Sequence, residues 1–271
     1  MFCIKLDLIS ELKFKKMKST AKKLITAASV TAVMLSATSC NIEPFHLGNF
    51  YVPNAVVTVK PLTGGSIPFY LQIDDSTTAV ADNIHTAPYG NREVRAIAQL
   101  EELHKSVEGY DKVYHVHYLD SILTKDILPF TNHMDVDTLY GNDPVILLND
   151  WKTAVEDGYL TLEFQVMTPS PYAAHRINLL SGINPDDPYE LEFRHMNDYH
   201  GYIGDEYLAN GLAAFRLDSL PDTEGKTVKI TVRWLAPDGR KKAFAFDYCT
   251  GVSSPEKLQL RNGVTYLDNL K

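Results

Sequence analysis

The feature that most constrains this chain is a strict alternation of apolar and polar residues through its second half. In GYLTLEFQV, Leu160, Leu162, Phe164 and Val166 occupy one phase, while Thr161, Glu163 and Gln165 occupy the other. TVKITVRWL sets Val228, Ile230, Val232 and Trp234 against Lys229, Thr231 and Arg233, and KAFAFDY aligns Phe244, Phe246 and Tyr248. YELEFRH alternates in the same way. Successive side chains of a strand point to opposite faces, so a period of two describes a strand with one dry and one wet face. Asp157-Gly158 before the first run, and PDGR (237–240) between the second and third, are hairpin signals. Half-wetted strands joined by hairpins predict an antiparallel β-sandwich.

The first half is also strand-like. AVVTVK (55–60) and PFYLQID (68–74) are rich in β-branched and aromatic residues and are separated by Gly64-Gly65; VRAIAQL (94–100) and KVYHVHYLDSIL (112–123) continue the pattern. Residues 93–105 also admit a short helix, on the partial stripe Ile97, Leu100 and Leu103. Four or five strands with at most one helical piece predict a small β-barrel. The period is lost in DVDTLYGNDP (135–144), which places the boundary there: a barrel domain over 51–138 and a sandwich over 139–271. The expected class is all-β.

The N-terminus says where the chain resides. Residues 24–37 are apolar and follow Lys18, Lys22 and Lys23, the pattern of a signal peptide. The run is shorter than the ~20 residues a membrane span needs. Ala37-Thr38-Ser39-Cys40 resembles a bacterial lipobox, with Leu35 one place earlier than the strict pattern wants. Residues 1–39 are therefore expected to be removed, with palmitate-type acyl chains on Cys40 and residues 40–50, which carry Pro44 and Gly48, as a tether. Asp7 and Glu11 suit a signal poorly, and Met17 makes a better start. The membrane is thus one expected partner, through Cys40, at the bacterial envelope and its outer membrane.

Removing residues 1–39, with seven lysines and two acids, takes the net charge from −8 to −13. So acidic a chain repels phosphate backbones, and nucleic acid is not an expected partner. Of three cysteines only Cys249 then remains as a thiol, beside Phe246 and Tyr248, where a buried structural role is expected and no intrachain disulfide can form.

Several fragments taken together, FYLQIDDSTTAVADN, VYHVHYLDSILTKDI, NDWKTAVEDGYLTLEFQV and GLAAFRLDSLP behind a lipobox, resemble the NigD-like lipoproteins of Bacteroidetes. The resemblance covers nearly all of the mature chain, and ILTKD (122–126) and the tryptophan followed by DGYLTLEF are its most specific pieces. It implies an N-terminal OB-type barrel and a C-terminal β-sandwich, and it carries no established reaction.

Three groups of residues hold candidate chemistry. His115 and His117 project from one face of a strand, together with Val113 and Leu119, and two imidazoles on one face can reach one ion, although no third ligand is near in sequence. RHMNDYHGYIGDEY (194–207) gathers His195, Asp198, His200, Asp205 and Glu206 with Tyr199, Tyr202 and Tyr207. Loops of this kind carry function, and His195, Asp198, Tyr199, His200 and Tyr202 are the candidate partner-binding residues. NPDDP (184–188) reads as a rigid turn rather than a calcium loop, and Pro-flanked Ser170 as a turn. No phosphate loop or nucleophile elbow is present, so no catalytic residue, cofactor or metal is assigned. Fifteen tyrosines and eleven phenylalanines favour an envelope protein, peptide or glycan as the further partner. The expected function is a non-enzymatic binding or accessory module; the alternative is a metal-dependent envelope hydrolase using a His/Asp loop.

Overall fold

The computed structural model describes residues 51–130, 135–170, 172–199, 203–250 and 265–267. The signal peptide, the tether and Cys40 lie outside them. Five strands close a barrel in the order β1-β2-β3-β5-β4: β1 (Ala55–Pro61), β2 (Phe69–Gln72), β3 (Thr78–Ala81), β4 (Val94–Glu102) and β5 (Lys112–Ser121). Val57, Val59, Phe69, Leu71, Ala96 and Ala98 fill its interior. The loop holding Gly64-Gly65 turns β1 into β2, closed by Leu62 N–H donating to the Pro68 carbonyl at 2.9 Å. Residues 93–105 contain β4 and no helix: Ile97 is the ladder partner of Val56 on the neighbouring strand β1, and the partial stripe belongs to a strand.

β5 leads into the sandwich through a single residue, Ile122. Next come β6 (Leu123–Asp126), β7 (Leu128–Pro129), the short helix α1 (Val136–Tyr140), β8 (Ile146–Leu148) and β9 (Ala154–Glu156). The long strands complete the chain: β10 (Tyr159–Thr168), β11 (His175–Ser181), β12 (Glu190–Asn197), β13 (Tyr207–Arg216), β14 (Val228–Leu235) and β15 (Lys241–Tyr248), with β16 (Thr265–Leu267) beyond. One sheet runs β6-β13-β10-β8, with β9 also on β10; the other runs β16-β15-β14-β12-β11-β7. Most ladders are antiparallel, while β6–β13, β7–β11 and β12–β14 in the sandwich and β3–β5 in the barrel are parallel.

The boundary expected at 138/139 is therefore moved. β6 and β7 already belong to the two sandwich sheets, and the division falls at Ile122. No turn residue marks it, because the barrel's last strand continues almost directly into a sandwich edge. The Asp- and Gly-rich break at 135–144 builds α1 instead, with Asp135 capping Thr138 N–H and Gly141 ending the helix at φ 75°.

The alternation read from the sequence sets the core. Leu160, Leu162, Phe164 and Val166 face Ile177, Leu179, Leu191, Phe193, Ile230, Val232, Trp234, Phe244 and Phe246 in one cluster. Burying each large apolar side chain contributes roughly 1.5–3 kcal/mol. Asp157 and Gly158, at φ 50° and 75°, make the two-residue turn between β9 and β10. Cys249 is buried, as expected.

β1 and β4 are buried on both faces. Inward residues fill the barrel, while Val56, Thr58, Arg95 and Ile97 on the other face lie against the sandwich. There the Arg95 guanidinium, fully buried, donates to Thr58 Oγ1 at 3.0 Å, Thr161 Oγ1 at 3.4 Å and Glu156 Oε2 at 3.3 Å. Around it Lys60 pairs with Asp157 at 2.8 Å, Tyr159 Oη donates to Glu93 at 2.9 Å, and Asp157 N–H donates to Asp75 at 2.8 Å. Val56, Ile122, Tyr159 and Ala214 make the apolar part of this seam.

Gly211 faces Phe164 across the β10–β13 ladder, and a Cβ added there would lie 2.3 Å from the ring. Gly211→Ala should lower stability by about 1–3 kcal/mol in urea unfolding. An unchanged midpoint would show that the ring is not seated over the glycine.

Candidate functional site

The inward phase of β11 carries His175, Ile177 and Leu179, and that of β12 carries Leu191, Phe193 and His195. The apolar core thus ends in two buried imidazoles. His175 Nδ1 and His195 Nε2 stand 2.9 Å apart, with the rings stacked at 5.2 Å. Tyr199 meets His175 edge-on at 5.5 Å and donates its hydroxyl to the Met167 carbonyl on the opposite sheet. Asp143 accepts Asn197 N–H at 2.8 Å and donates its own N–H to the His195 carbonyl at 2.9 Å.

Burial disfavours a charge on this pair. The His195 imidazole is pushed down to about 4 by burial and then by His175, against a smaller upward pull from Asp143. His175 is lowered by burial against Asp143 and Asp198. Burial raises the Tyr199 hydroxyl to about 12, with the charges of Glu206 and Asp143 adding to it, so it stays a proton donor.

The expected binding loop is therefore rearranged. His195 is a core residue of β12 facing His175, because β12 extends to Asn197 and keeps its alternation up to that point. Asp198 is at the surface in an ion pair with Arg176, and Tyr199 straps one sheet to the other. His200 and Tyr202 lie outside the described residues. β13 starts at Tyr207, which leaves 198–206 as the connection. A His195–Asp198 ligand set does not assemble, and among the described residues no three or more His, Cys, Asp or Glu side chains gather as metal ligands. At 184–188, Asn184 Oδ1 accepts Asp186 N–H, the rigid turn expected.

The same end of the sandwich exposes apolar side chains that the loop reading did not include. Met167 and Leu208 are direct cross-strand partners on the outer face, 42% and 51% exposed. Tyr172 follows β10 at 88% exposure and Ile203 precedes β13 at 98%. Two sequence signals were available: Met167 sits on the wet phase of β10, and His175 is in phase with Ile177 and Leu179. Thr161 at the seam and Met167 in the patch are six residues apart on one strand, or about 20 Å.

A five-stranded barrel running through one residue into a two-sheet sandwich defines a two-domain all-β protein. The chain belongs to the NigD-like family: the NigD-like N-terminal OB domain matches residues 56–122 and the NigD-like C-terminal beta sandwich domain residues 126–248. A Parabacteroides distasonis protein described as toxin-related is similar, with 31% identity over 77% of this chain and 97% of that one at a TM-score of 0.57. The fold is shared with a Bacteroides vulgatus protein of unknown function (23% identity, 74% and 93% of the two chains, TM-score 0.57). It is shared also with a NigD-like immunity protein from Bacteroides caccae (18%, 74% and 100%, TM-score 0.52). None of the curated proteins compared with the chain matches it.

The histidine pair makes stability depend on pH. In the unfolded chain His195 has its ordinary value of 6.5, against about 4 when folded. Between these values the unfolded state binds more protons, so stability falls as pH drops from about 6.5 and the loss is complete near 4. For His195 it is on the order of 3 kcal/mol. His195→Gln should flatten the fall in thermal midpoint over this interval relative to the unaltered chain; an identical slope would contradict the assignment.

Proposed function

We propose that this chain is a non-enzymatic binding or accessory module of the bacterial envelope, held at the outer membrane by acyl chains on Cys40, and that its partner is another envelope protein. The observation that carries the reading is the apolar surface at the loop end of the sandwich, where Met167, Tyr172, Ile203 and Leu208 are exposed together with half-exposed Tyr207. Clustered apolar exposure on a folded domain is a mark of a protein interface. The acids nearby, Asp198, Asp205 and Glu206, match a partner with an apolar centre and a basic rim, in keeping with the net charge of −13 after residue 39. A protein described as toxin-related among its relatives fits recognition rather than turnover. No helix among the described residues is long and apolar enough to cross a membrane; in this reading the attachment is made at Cys40. Two or three acyl chains give stable anchoring where one gives only marginal binding.

The test is crosslinking and pull-down of the lipidated chain from native membranes, followed by identification of what it holds. Met167→Asp with Leu208→Asp should abolish recovery of that protein while the thermal midpoint changes little, as surface substitutions usually do. Cys40→Ser should move the chain to the soluble fraction. Undiminished recovery from the double variant would remove the patch from the account, and an unaltered membrane fraction for Cys40→Ser would remove the anchor.

A further inference from the structure

His115 and His117 lie far from the sandwich patch in the fold, on β5 of the barrel, and nothing in the binding role uses them. The β4–β5 ladder carries a bulge there: Gln99 faces Tyr118 and Leu100 faces Val116, so His117 is the extra residue without a ladder partner. Bulges redirect side chains and recur beside functional sites. This one changes the phase of the strand, so that Leu119 joins the barrel core while the imidazoles stay outside. The two rings stand edge to face with centroids 4.9 Å apart.

Each ring is held by a carboxylate. His115 Nδ1 meets Asp82 Oδ1 at 3.0 Å, and His117 Nε2 meets Glu101 Oε2 at 2.8 Å. A carboxylate only accepts, so the proton of each neutral ring sits on the nitrogen that faces it. The lone pairs are then on His115 Nε2 and His117 Nδ1. A carboxylate holding the second ring nitrogen is the outer-sphere arrangement of metal-binding histidines, where it fixes the tautomer and raises ligand basicity. Two imidazoles bound at about 2.1 Å to one ion place their ring centres about 5 Å apart, close to the spacing found.

We propose that His115 and His117 form a binding site for a late first-row divalent cation, of the zinc and copper class, on the outer face of the barrel. Imidazole nitrogens select these ions over magnesium and calcium. Among the described residues no third side chain of the ligand-forming types joins them, so water fills the remaining positions of the ion. Asp82, which also pairs with Lys105 at 3.2 Å, and Glu101 supply negative charge beside the cation. The site is independent of the sandwich patch, and its failure leaves the partner-binding reading standing.

The test is calorimetric titration of the full chain, purified without a polyhistidine tag, with zinc chloride and then copper(II) chloride. One ion per chain is expected, and His115→Ala and His117→Ala should each abolish binding. Asp82→Asn and Glu101→Gln keep both imidazoles and should weaken it about 10–100-fold. These carboxamide variants keep the test decisive even where an alanine variant loses fold. No heat of binding with either metal, or binding that survives His115→Ala with His117→Ala, would overturn the proposal.

Discussion

The architecture depends on a guanidinium with no access to water. Arg95 lies between the barrel and the sandwich, fully buried, with Thr58 of its own barrel and with Thr161 and Glu156 of the sandwich as hydrogen-bond acceptors. A cation in that position is tolerable only when the groups around it replace its hydration, and no one domain supplies all of them. Burial pulls the guanidinium pKa down, and Glu156 and Asp157 oppose that shift most strongly. Losing either side of such a pair strands a buried charge, at a cost of about 3–5 kcal/mol. The apolar contacts of Val56, Ile122, Tyr159 and Ala214 complete the seam that the Arg95 hydrogen bonds to Thr161 and Glu156 span.

This requirement organises what surrounds it. The chain crosses from barrel to sandwich through Ile122 alone, whose N–H donates to the Arg95 carbonyl at 2.8 Å. The outer face of β10 and β13 is therefore dry at the seam, where Thr161 and Ala214 are fully buried, and apolar again at Met167 and Leu208 on the far side of the polar pair Gln165 and Asn210. Inside the sandwich the polarity runs the other way. Its core is apolar until it reaches His175 and His195, which end it with neutral, mutually bonded rings under Tyr199. The surface proposed for a partner stands at that end, strapped to the core by one tyrosine hydroxyl.

Much of this was legible in the residues and some of it was not. The β10, β14 and β15 strands and their turns follow from alternation that any half-buried strand must show, and of these only β10 lies within the fragments that carried the family resemblance. Residues 93–105 were ambiguous because β4 is buried on both faces; Ala96, Ile97, Ala98 and Leu100 then lose the clean alternation and mimic a helical stripe. The domain boundary was hidden because β5 runs into β6 without a turn residue, while the turn residues at 135–144 serve a helix inside the second domain. His195 looked like part of a polar loop because a histidine reads as polar, and only the extension of β12 to Asn197 turns it inward toward a second histidine twenty positions earlier. The bulge at His117 has no composition signal at all; it arises from how β4 and β5 register around the closed barrel.

Native-state hydrogen exchange tests most directly whether the barrel and the sandwich form one cooperative body held at Arg95. The account predicts that the slowest amides of β1 and β4 and those of β10 exchange through the same global opening, with equal free energies that fall together as urea is added. Barrel amides that open at markedly lower free energy than those of β10, with their own denaturant dependence, would contradict it, because they would show two domains that merely touch.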